Sequence, residues 1–371
     1  MKKLNVLHVH VSLYQPYLMV KALRELGHQA DYLVFGDESI KWLIHDADFF
    51  LGNKKRLSDI AGVIKFFTYA IRKYDVFHFH SLPGFIPPGW SDLLDKFVGI
   101  DLGFLKRMGK TIVFSHWGCH DGYLPSNFSK FEDGRVCSEC NQYNGMCSDK
   151  YVETKCKPQM KYADYIINHD PDFEGYNRGA SYLHGLIDTD FWNPEELVPD
   201  RYMLEHKTEN TIKIYHGFAN SNQRGGFEKN IKGSKYIRDA VKRLKSEGYE
   251  VEFLYFDKTT NKELKYYQLQ ADIIVDQLFY GWIGSTAREG MALGKPVVTF
   301  IRKQWLANQD DELPVVNADS ESIYRVLKDL VVNENLRKKM GADARKFAIE
   351  KLNYSIVGEK LLEIYDKCRS N

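Results

Sequence analysis

The sequence predicts an α/β protein made of two doubly wound domains, each a parallel sheet covered by helices on both faces. Three observations predict it. Short apolar runs of strand character alternate with amphipathic helical stretches along the chain. The periodicity lapses once, from Asp188 to Asn210, where proline and charge gather, and then restarts. The 371 residues also exceed what one ordinary core organises, so two domains of about half the chain each are the natural division.

The first half supplies the strands "LNVLHVHV", "ADYLVF", "YDVFHFH", "KTIVFSH", "ADYIINH" and "ASYLHG". Between them lie the helix "YLMVKALRELG", closed by Gly27, and an amphipathic stretch from Asp92 to Met108. The opening "MKKLNVLHVHVSLYQP" has a basic tip, but His8 and His10 interrupt the apolar run and no small-residue cleavage site follows, so it reads as a buried strand and not a signal peptide. No Gly-x-Gly-x-x-Gly follows it, which removes the dinucleotide fingerprint. On "VFHFH" the reading sends one of His78 and His80 toward a cleft and the other toward packed helices. The second half gives "TIKIYHG", a helix from Lys232 to Glu247, "EVEFLYF", "ADIIVDQ", a helix at Glu289 and "KPVVTFI". From Ser320 onward the pattern is helical, ending in "YSIVGEKLLEIYDKC", long enough to return to the first domain. The expected boundaries are a first domain over 1–190, with a Cys-rich insertion at about 119–157, a linker over 191–210, a second domain over 211–352 and a returning helix over 353–371. Two such domains would line a shared cleft with their strand C-terminal ends, where ligands bind in open α/β sheets.

Composition narrows the function classes. With 44% hydrophobic and 27% charged residues the chain reads as globular. Its 51 Lys+Arg against 50 Asp+Glu leave a net charge of +1, which argues against a nucleic-acid partner held by overall charge. No window approaches the length of a membrane span, so a cytoplasmic protein is expected. The segment "FFLGNKKRLSDIAGVIKFFTYAIRK", Phe49 to Lys73, fits either an interfacial helix touching the inner face of a membrane or an ordinary amphipathic helix on a sheet.

The stretch "GWIGSTAREGMALGKPVV", Gly281 to Val298, admits two readings. Thr286 and Glu289 stand in the relation of a capping box, with Gly294 and Pro296 ending the helix. Alternatively the helix N-terminus beside Gly281 and Gly284 offers amides and a positive dipole end to an anion while Glu289 accepts two hydroxyl donors. A nucleoside diphosphate has both parts, a diphosphate and a ribose diol. Four cysteines, Cys137, Cys140, Cys147 and Cys156, fall in "CSECNQYNGMCSDKYVETKC". A Cys-x2-Cys knuckle with two further thiolates fits a closed structural zinc site; two disulfides or reduced thiols are the alternatives.

The second half resembles the C-terminal domain of GT-B glycosyltransferases of family 4 in "IKGSKYIRDAVKRLKSEGYEVEF", "ADIIVDQLFYGWIGSTAREGMALGKPVV" and "NENLRKKMGADARKFAIEKLNYSIVGEKLLEIY". The first half agrees in "DLGFLKRMGKTIVFSHWGCHD", "ADYIINHDPDF" and "LHGLIDTDFWNP". The resemblance implies a GT-B fold, two Rossmann-like domains facing a central cleft. It implies a retaining transfer of sugar from a nucleotide-sugar, UDP- or GDP-linked, to a sugar, glycan or lipid-linked acceptor in cell-surface polysaccharide assembly, with no metal required for catalysis. By this resemblance Glu289 holds the donor ribose, the amides of Gly284, Ser285 and Thr286 face the diphosphate, and Lys232 pairs with the phosphates, joined by Arg224 in "NSNQRGGF". The first glutamate of the family's Glu-x7-Glu motif is replaced by Gly281, and Asp276 with Gln277 stand as partial substitutes. His116 in "FSHWGCHD" matches the histidine near the transferred sugar, with His120 or Asp121 as acceptor-side base. The rival readings are a GT-B sugar-nucleotide epimerase, a catalytically silent glycan- or nucleotide-binding scaffold, and a zinc-ribbon nucleic-acid module that the neutral charge disfavours.

Overall fold

The computed structural model describes residues 3–10, 12–36, 47–52, 57–86, 94–131, 135–140, 147–170, 174–205, 210–218, 226–257, 259–307 and 312–370. The chain forms two compact units. Unit 1 comprises Met1–Asn127, Asn144–Leu186 and Tyr354–Asn371, and unit 2 comprises Phe128–Tyr143 and Ile187–Asn353.

In unit 1 the strands are β1 (Asn5–Val9), β2 (Gln29–Phe35), β3 (Phe49–Leu51), β4 (Val76–His80), β5 (Thr111–His116), β6 (Tyr165–Asn168) and β7 (Ser181–Tyr182). They form one parallel sheet in the order β3-β2-β1-β4-β5-β6-β7. The order reverses between β1 and β4, so this doubly wound sheet has its switch point where those two strands end. The crossovers are α1 (Gln15–Glu25), α2 (Leu57–Lys73) and α3 (Ile100–Arg107); short α4 (Pro125–Phe128) ends at the boundary between the units. Leu7, Val9, Phe77, Phe79, Ile112 and Phe114 project from one face onto Phe66 and Ala70 of α2 and Leu102 and Leu105 of α3. Each such fully buried side chain contributes about 1.5–3 kcal/mol over leaving it exposed.

Of the aromatic-rich stretch, Phe49–Leu51 is strand β3 and Leu57–Lys73 is a sheet-covering helix with Phe66 and Ala70 engaged in the core. No helix of the described residues is long and apolar enough to cross a membrane.

Unit 2 follows the same plan. After α5 (Arg135–Glu139) the chain returns to unit 1 for α6 (Asp149–Tyr162), started by Ser148, whose hydroxyl accepts the Tyr151 amide at 3.2 Å. Strands β8 (Ile212–Phe218), β9 (Val251–Asp257), β10 (Ile273–Val275), β11 (Val297–Thr299) and β12 (Val316–Asn317) pair in parallel in the order β12-β11-β10-β8-β9. Ile214, Val251, Ile273, Val275 and Val298 pack on Ile237, Val241 and Leu244 of α7 (Ser234–Ser246) and on Ile323, Leu327 and Leu330 of α11 (Ile323–Val332). On the other face Tyr215, Leu254 and Ile274 meet Leu264 of α8 (Asn261–Leu269), which a Thr260/Glu263 capping box begins. Helices α9 (Ser285–Ala292), α10 (Lys303–Ala307) and α12 (Glu334–Phe347) complete the unit. The segment Phe128–Tyr143 belongs here although strands of unit 1 precede it: Arg135 bonds Ser320 and Glu321, and the Tyr236 hydroxyl donates to Glu139 at 3.4 Å.

The last helix, α13 (Tyr354–Ser370), covers α1 in unit 1. Gly358 lets the backbones approach, since a Cβ there would collide with that of Ala22. The Tyr354 hydroxyl donates to Glu25 at 3.0 Å.

Candidate functional site

In unit 2 the sheet reverses order between β8 and β10, and the segments leaving those two strands carry most of the residues singled out above. The helix after β10 begins with Gly284 as N-cap, without a side-chain cap. Thr286 and Glu289 are therefore the second and fifth residues inside α9, so the capping-box reading is incorrect. Thr286 Oγ1 instead accepts from Lys232 Nζ at 3.1 Å. First-turn amides have no partner within a helix, so Ser285 and Thr286 direct theirs outward from the end of β10. Gly284 is needed for proximity, because a Cβ would run into the Asp276 carboxylate. Gly294, at φ 67, ends the helix in the left-handed turn expected of it.

Lys232 Nζ also donates to Asp276 Oδ1 at 2.9 Å and to the Gly217 carbonyl at 3.1 Å. Its ammonium is thus fixed between the ends of β8 and β10, with Asp276 as counter-ion. Glu289 is buried and accepts from Gln268 Nε2 at 2.9 Å. Burial raises its pKa, opposed by the Gln268 hydrogen bond and the Lys232 charge. Arg288 folds back on the helix start, donating to the Ile283 carbonyl at 3.0 Å and to Ser285 Oγ at 3.1 Å. Gln277 Nε2 is engaged by the Trp282 carbonyl at 2.6 Å, which makes it a brace for the 277–282 loop. Arg224 lies outside the described residues.

Gly281 has a physical reason. Its φ is 94, and a Cβ would strike the aliphatic part of Arg302, whose guanidinium lies 4.5 Å from the Phe131 ring centre and 5.2 Å from that of Trp282. A glutamate at 281 would need both a left-handed backbone and the space Arg302 fills.

In unit 1 the corresponding sheet ends are strained. His10 after β1 has φ 75 and Ser81 after β4 has φ 56, rare for residues with a Cβ and concentrated at functional sites. His116 ends β5 wholly buried, with Nε2 3.0 Å from Gln159 Oε1 and Nδ1 2.6 Å from Asn177 Oδ1. Gln159 is oriented by its own donation to the Leu82 carbonyl at 3.3 Å, so His116 Nε2 carries the proton. Burial favours the neutral ring, so its Nδ1 must accept, and turning the Asn177 amide over would bring its nitrogen, in place of Oδ1, to that position. That orientation also gives a partner to the Asn177 nitrogen, which otherwise has none.

Asp121 is buried too and accepts from Lys155, from Ser81 Oγ at 2.6 Å and from the Trp117 amide at 3.1 Å. Burial would raise its pKa, but Lys155, His116 and these hydrogen bonds bring it down to about 2. It is a weak base that anchors the loop 117–121. His120 Nε2 stands 3.2 Å from Cys147 Sγ. Cys147 and Cys156 lie in unit 1, Cys137 and Cys140 in unit 2. Burial of Cys156 on α6 pushes its thiol up to about 12.

The sequence missed Lys155, Gln159 and Asn177, which reach His116 and Asp121 from segments 34 to 61 residues away and carry no motif. It also missed Gln268. One expectation fails outright. His78 and His80 are two residues apart on β4, so they share a face, and both are fully buried with rings stacked 4.4 Å apart.

Two parallel-sheet α/β units, of seven and five strands among the described residues, define the GT-B class of fold. No protein-family model and no curated protein matches the sequence. Among solved structures the chain is similar to sucrose-phosphate synthase from Thermosynechococcus elongatus, with a TM-score of 0.62 and 13% identity over 99% of both chains. It is similar to Anabaena HepE in complex with UDP and glucose, with a TM-score of 0.61 and 12% identity over 98% of this chain and 99% of that one. It is also similar to UDP-GlcNAc 2-epimerase from Neisseria meningitidis bound to UDP-GlcNAc, at 0.56 and 10% over 98% and 100%.

Proposed function

We propose that this protein is a nucleotide-sugar-dependent glycosyltransferase resembling family 4, retaining in outcome, with its donor bound at the ends of β8 and β10. The observation that carries the reading is the grouping of a buried carboxylate, Glu289, with the uncapped N-terminus of α9 and the fixed Lys232 ammonium. Glu289 would accept both ribose hydroxyls, while the amides of Gly284, Ser285 and Thr286 and the Lys232 charge would receive the diphosphate. As the bond to the sugar breaks, charge grows on the diphosphate, and preset donors favour that state over the ground state. The reading needs no metal ion, because the helix end and Lys232 supply the positive potential. Asp276 restrains Lys232, so that it acts as a fixed point charge.

In unit 1, His116 with its proton on Nε2 and the anchored Trp117–Asp121 loop would form the acceptor side. The acceptor is a sugar, glycan or lipid-linked sugar of a cell surface. Support comes from the similar proteins, of which one was solved with UDP and glucose and another with UDP-GlcNAc, and the latter favours a second reading, an epimerase acting on the nucleotide-sugar itself.

The test is a thermal-shift and calorimetric screen against UDP, GDP, ADP, CDP and dTDP and their sugar conjugates. One nucleotide should raise the melting temperature in the native protein and fail to do so in Glu289→Ala. Incubating the sugar conjugate without an acceptor then separates the readings, since a new sugar epimer marks the epimerase. Binding of no nucleotide would overturn both.

A further inference from the structure

Three buried histidines of unit 1, His8, His78 and His80, belong with His169 to one continuous hydrogen-bonded chain. Trp117 Nε1 lies 3.2 Å from His80 Nδ1, and His80 Nε2 lies 2.9 Å from His8 Nδ1. His8 Nε2 is 3.4 Å from the Tyr365 hydroxyl, which is 2.6 Å from His78 Nδ1. His78 Nε2 is 2.8 Å from Ser115 Oγ, which is 3.1 Å from His169 Nε2, and His169 Nδ1 is 2.8 Å from the Leu183 carbonyl. The links come from β1, β4, β5, the ends of β6 and β7, and α13. The chain closes on itself in space, because the Trp117 and His169 rings stack with centres 3.4 Å apart and planes 6° from parallel.

Its two ends fix every proton. An indole N–H only donates and a backbone carbonyl only accepts. Starting from Trp117, His80 Nδ1 must accept, so its proton is on Nε2 and goes to His8 Nδ1. His8 then donates from Nε2 to Tyr365, Tyr365 to His78 Nδ1, His78 from Nε2 to Ser115, Ser115 to His169 Nε2, and His169 from Nδ1 to Leu183. Starting from Leu183 gives the same assignment, which two donor ends or two acceptor ends would have forbidden. A cationic ring would donate from both nitrogens and break the sequence. Burial acts in the same direction, lowering the pKa of His8, His78 and His80.

His8, His78 and His80 are also, among the described residues, a group whose ligand atoms lie close enough, within 4.8 Å, to suggest a metal site. A metal would have to take lone pairs that Trp117, His80 and Tyr365 already occupy. Both ends of the chain are groups that neither take up nor release protons, so it conducts none.

We infer that this chain is a positioning device, in which Tyr365 of α13, acting through His8 and His80, sets the orientation of Trp117 and with it the loop 117–121 beside His116. Tyr365 is the keystone because it alone both receives from His8 and gives to His78. The tautomer assignment stands independently of the transferase reading; its catalytic meaning rests on that reading.

The test is long-range proton–nitrogen NMR of protein labelled with 15N-histidine, at pH 7.5. His8, His78 and His80 should each carry the proton on Nε2 and His169 on Nδ1, unchanged by one equivalent of zinc chloride. Any of the first three rings protonated on Nδ1, any imidazolium, or loss of the three Nε2 protons on adding zinc would overturn the inference. In Tyr365→Phe, which keeps the ring and removes the hydroxyl, all four rings should keep their tautomers, since Trp117 fixes His80 and His8 and Leu183 fixes His169 and His78, while the His8 Nε2 and His78 Nδ1 resonances lose their partner and shift, and the Trp117 indole N–H shifts with them. A role in packing alone would leave the Trp117 indole N–H unmoved and would equally overturn it. Should that variant fail to fold, the native pattern decides. With a donor in hand, Tyr365→Phe should lower kcat about tenfold with donor KM unchanged, the sign of lost orientation and not of lost donor contact; absence of any turnover in the native protein would refute the transferase reading and leave the NMR result intact.

Discussion

Acidification from pH 7.5 to 5.5 should destabilise unit 1 by a calculable amount. His8 is fully buried and burial lowers its pKa to about 3, while those of His78 and His80 are held well below the ordinary value by burial and then by neighbouring rings, His8 and His169 for His78, and His78, His8, His169 and His10 for His80. Tyr365 and Ser115, the other groups facing them, are uncharged in this range. The unfolded chain protonates each ring near about 6.5. Because the folded values lie below the unfolded one, the unfolded state takes up protons first: stability is complete above about pH 6.5 and is lost as the pH falls toward the folded values. At pH 5.5 each ring contributes RT ln(1 + 10), about 1.4 kcal/mol, so three contribute about 4 kcal/mol, a large share of the roughly 5–15 kcal/mol typical of a folded domain. His116, lowered in the same way, adds to the same slope. Urea unfolding at half-unit pH intervals measures this, and the His8→Gln variant isolates one ring by reducing the slope by about 1.4 kcal/mol per pH unit below pH 6.5. A transition midpoint independent of pH, or an equal slope in the variant, would refute the assignment of neutral buried rings.

Glu289→Ala should weaken nucleotide binding by about 3 kcal/mol, over a hundredfold in Kd by calorimetry, through the loss of charge-assisted hydrogen bonds to two hydroxyls. Since burial raises the Glu289 pKa, acid should erode that binding at a higher pH than an ordinary carboxylate would give, read from Kd between pH 7 and 5. Lys155→Met should cost about 3–5 kcal/mol in denaturant unfolding by leaving Asp121 buried without its counter-ion. Adding Asp121→Asn to that variant should restore most of the loss, and no recovery would show that Lys155 acts through packing. Gly281→Ala should lower stability by about 2 kcal/mol from backbone strain and collision with Arg302, and a neutral thermal melt would contradict the glycine argument.

The fold was legible because its strands are continuous apolar runs. Both sheets are covered on two faces, so "VFHFH" and "TIVFSH" are buried at every position. The helix at Glu289 was legible from its closing glycine, but its start was not. Thr286 satisfies the local capping pattern, yet Lys232 from a distant segment takes its hydroxyl, and a local pattern does not register such a competitor. The same holds for the histidines. Their alternation was visible, but reading them onto opposite faces overlooked the two-residue period, and only pairing of β1 beside β4 in register His8 to His78 brings them together. Asp121 was marked by its neighbourhood to His116; that Lys155 holds it down as a weak base follows from α6 crossing above it.

The membership of α13 in unit 1 has a consequence for biosynthesis. Every strand of that sheet leaves the ribosome before residue 187, but Tyr365 follows the whole of Ile187–Asn353, roughly 10–30 s later at about 5–20 residues per second. Through that interval the nascent sheet holds His8 and His78 without the hydroxyl that joins them, and α1 displays the face that Gly358 will cover. The first unit to be synthesised is thus the last to be completed, and the exposed α1 face is the surface a chaperone would find on the growing chain.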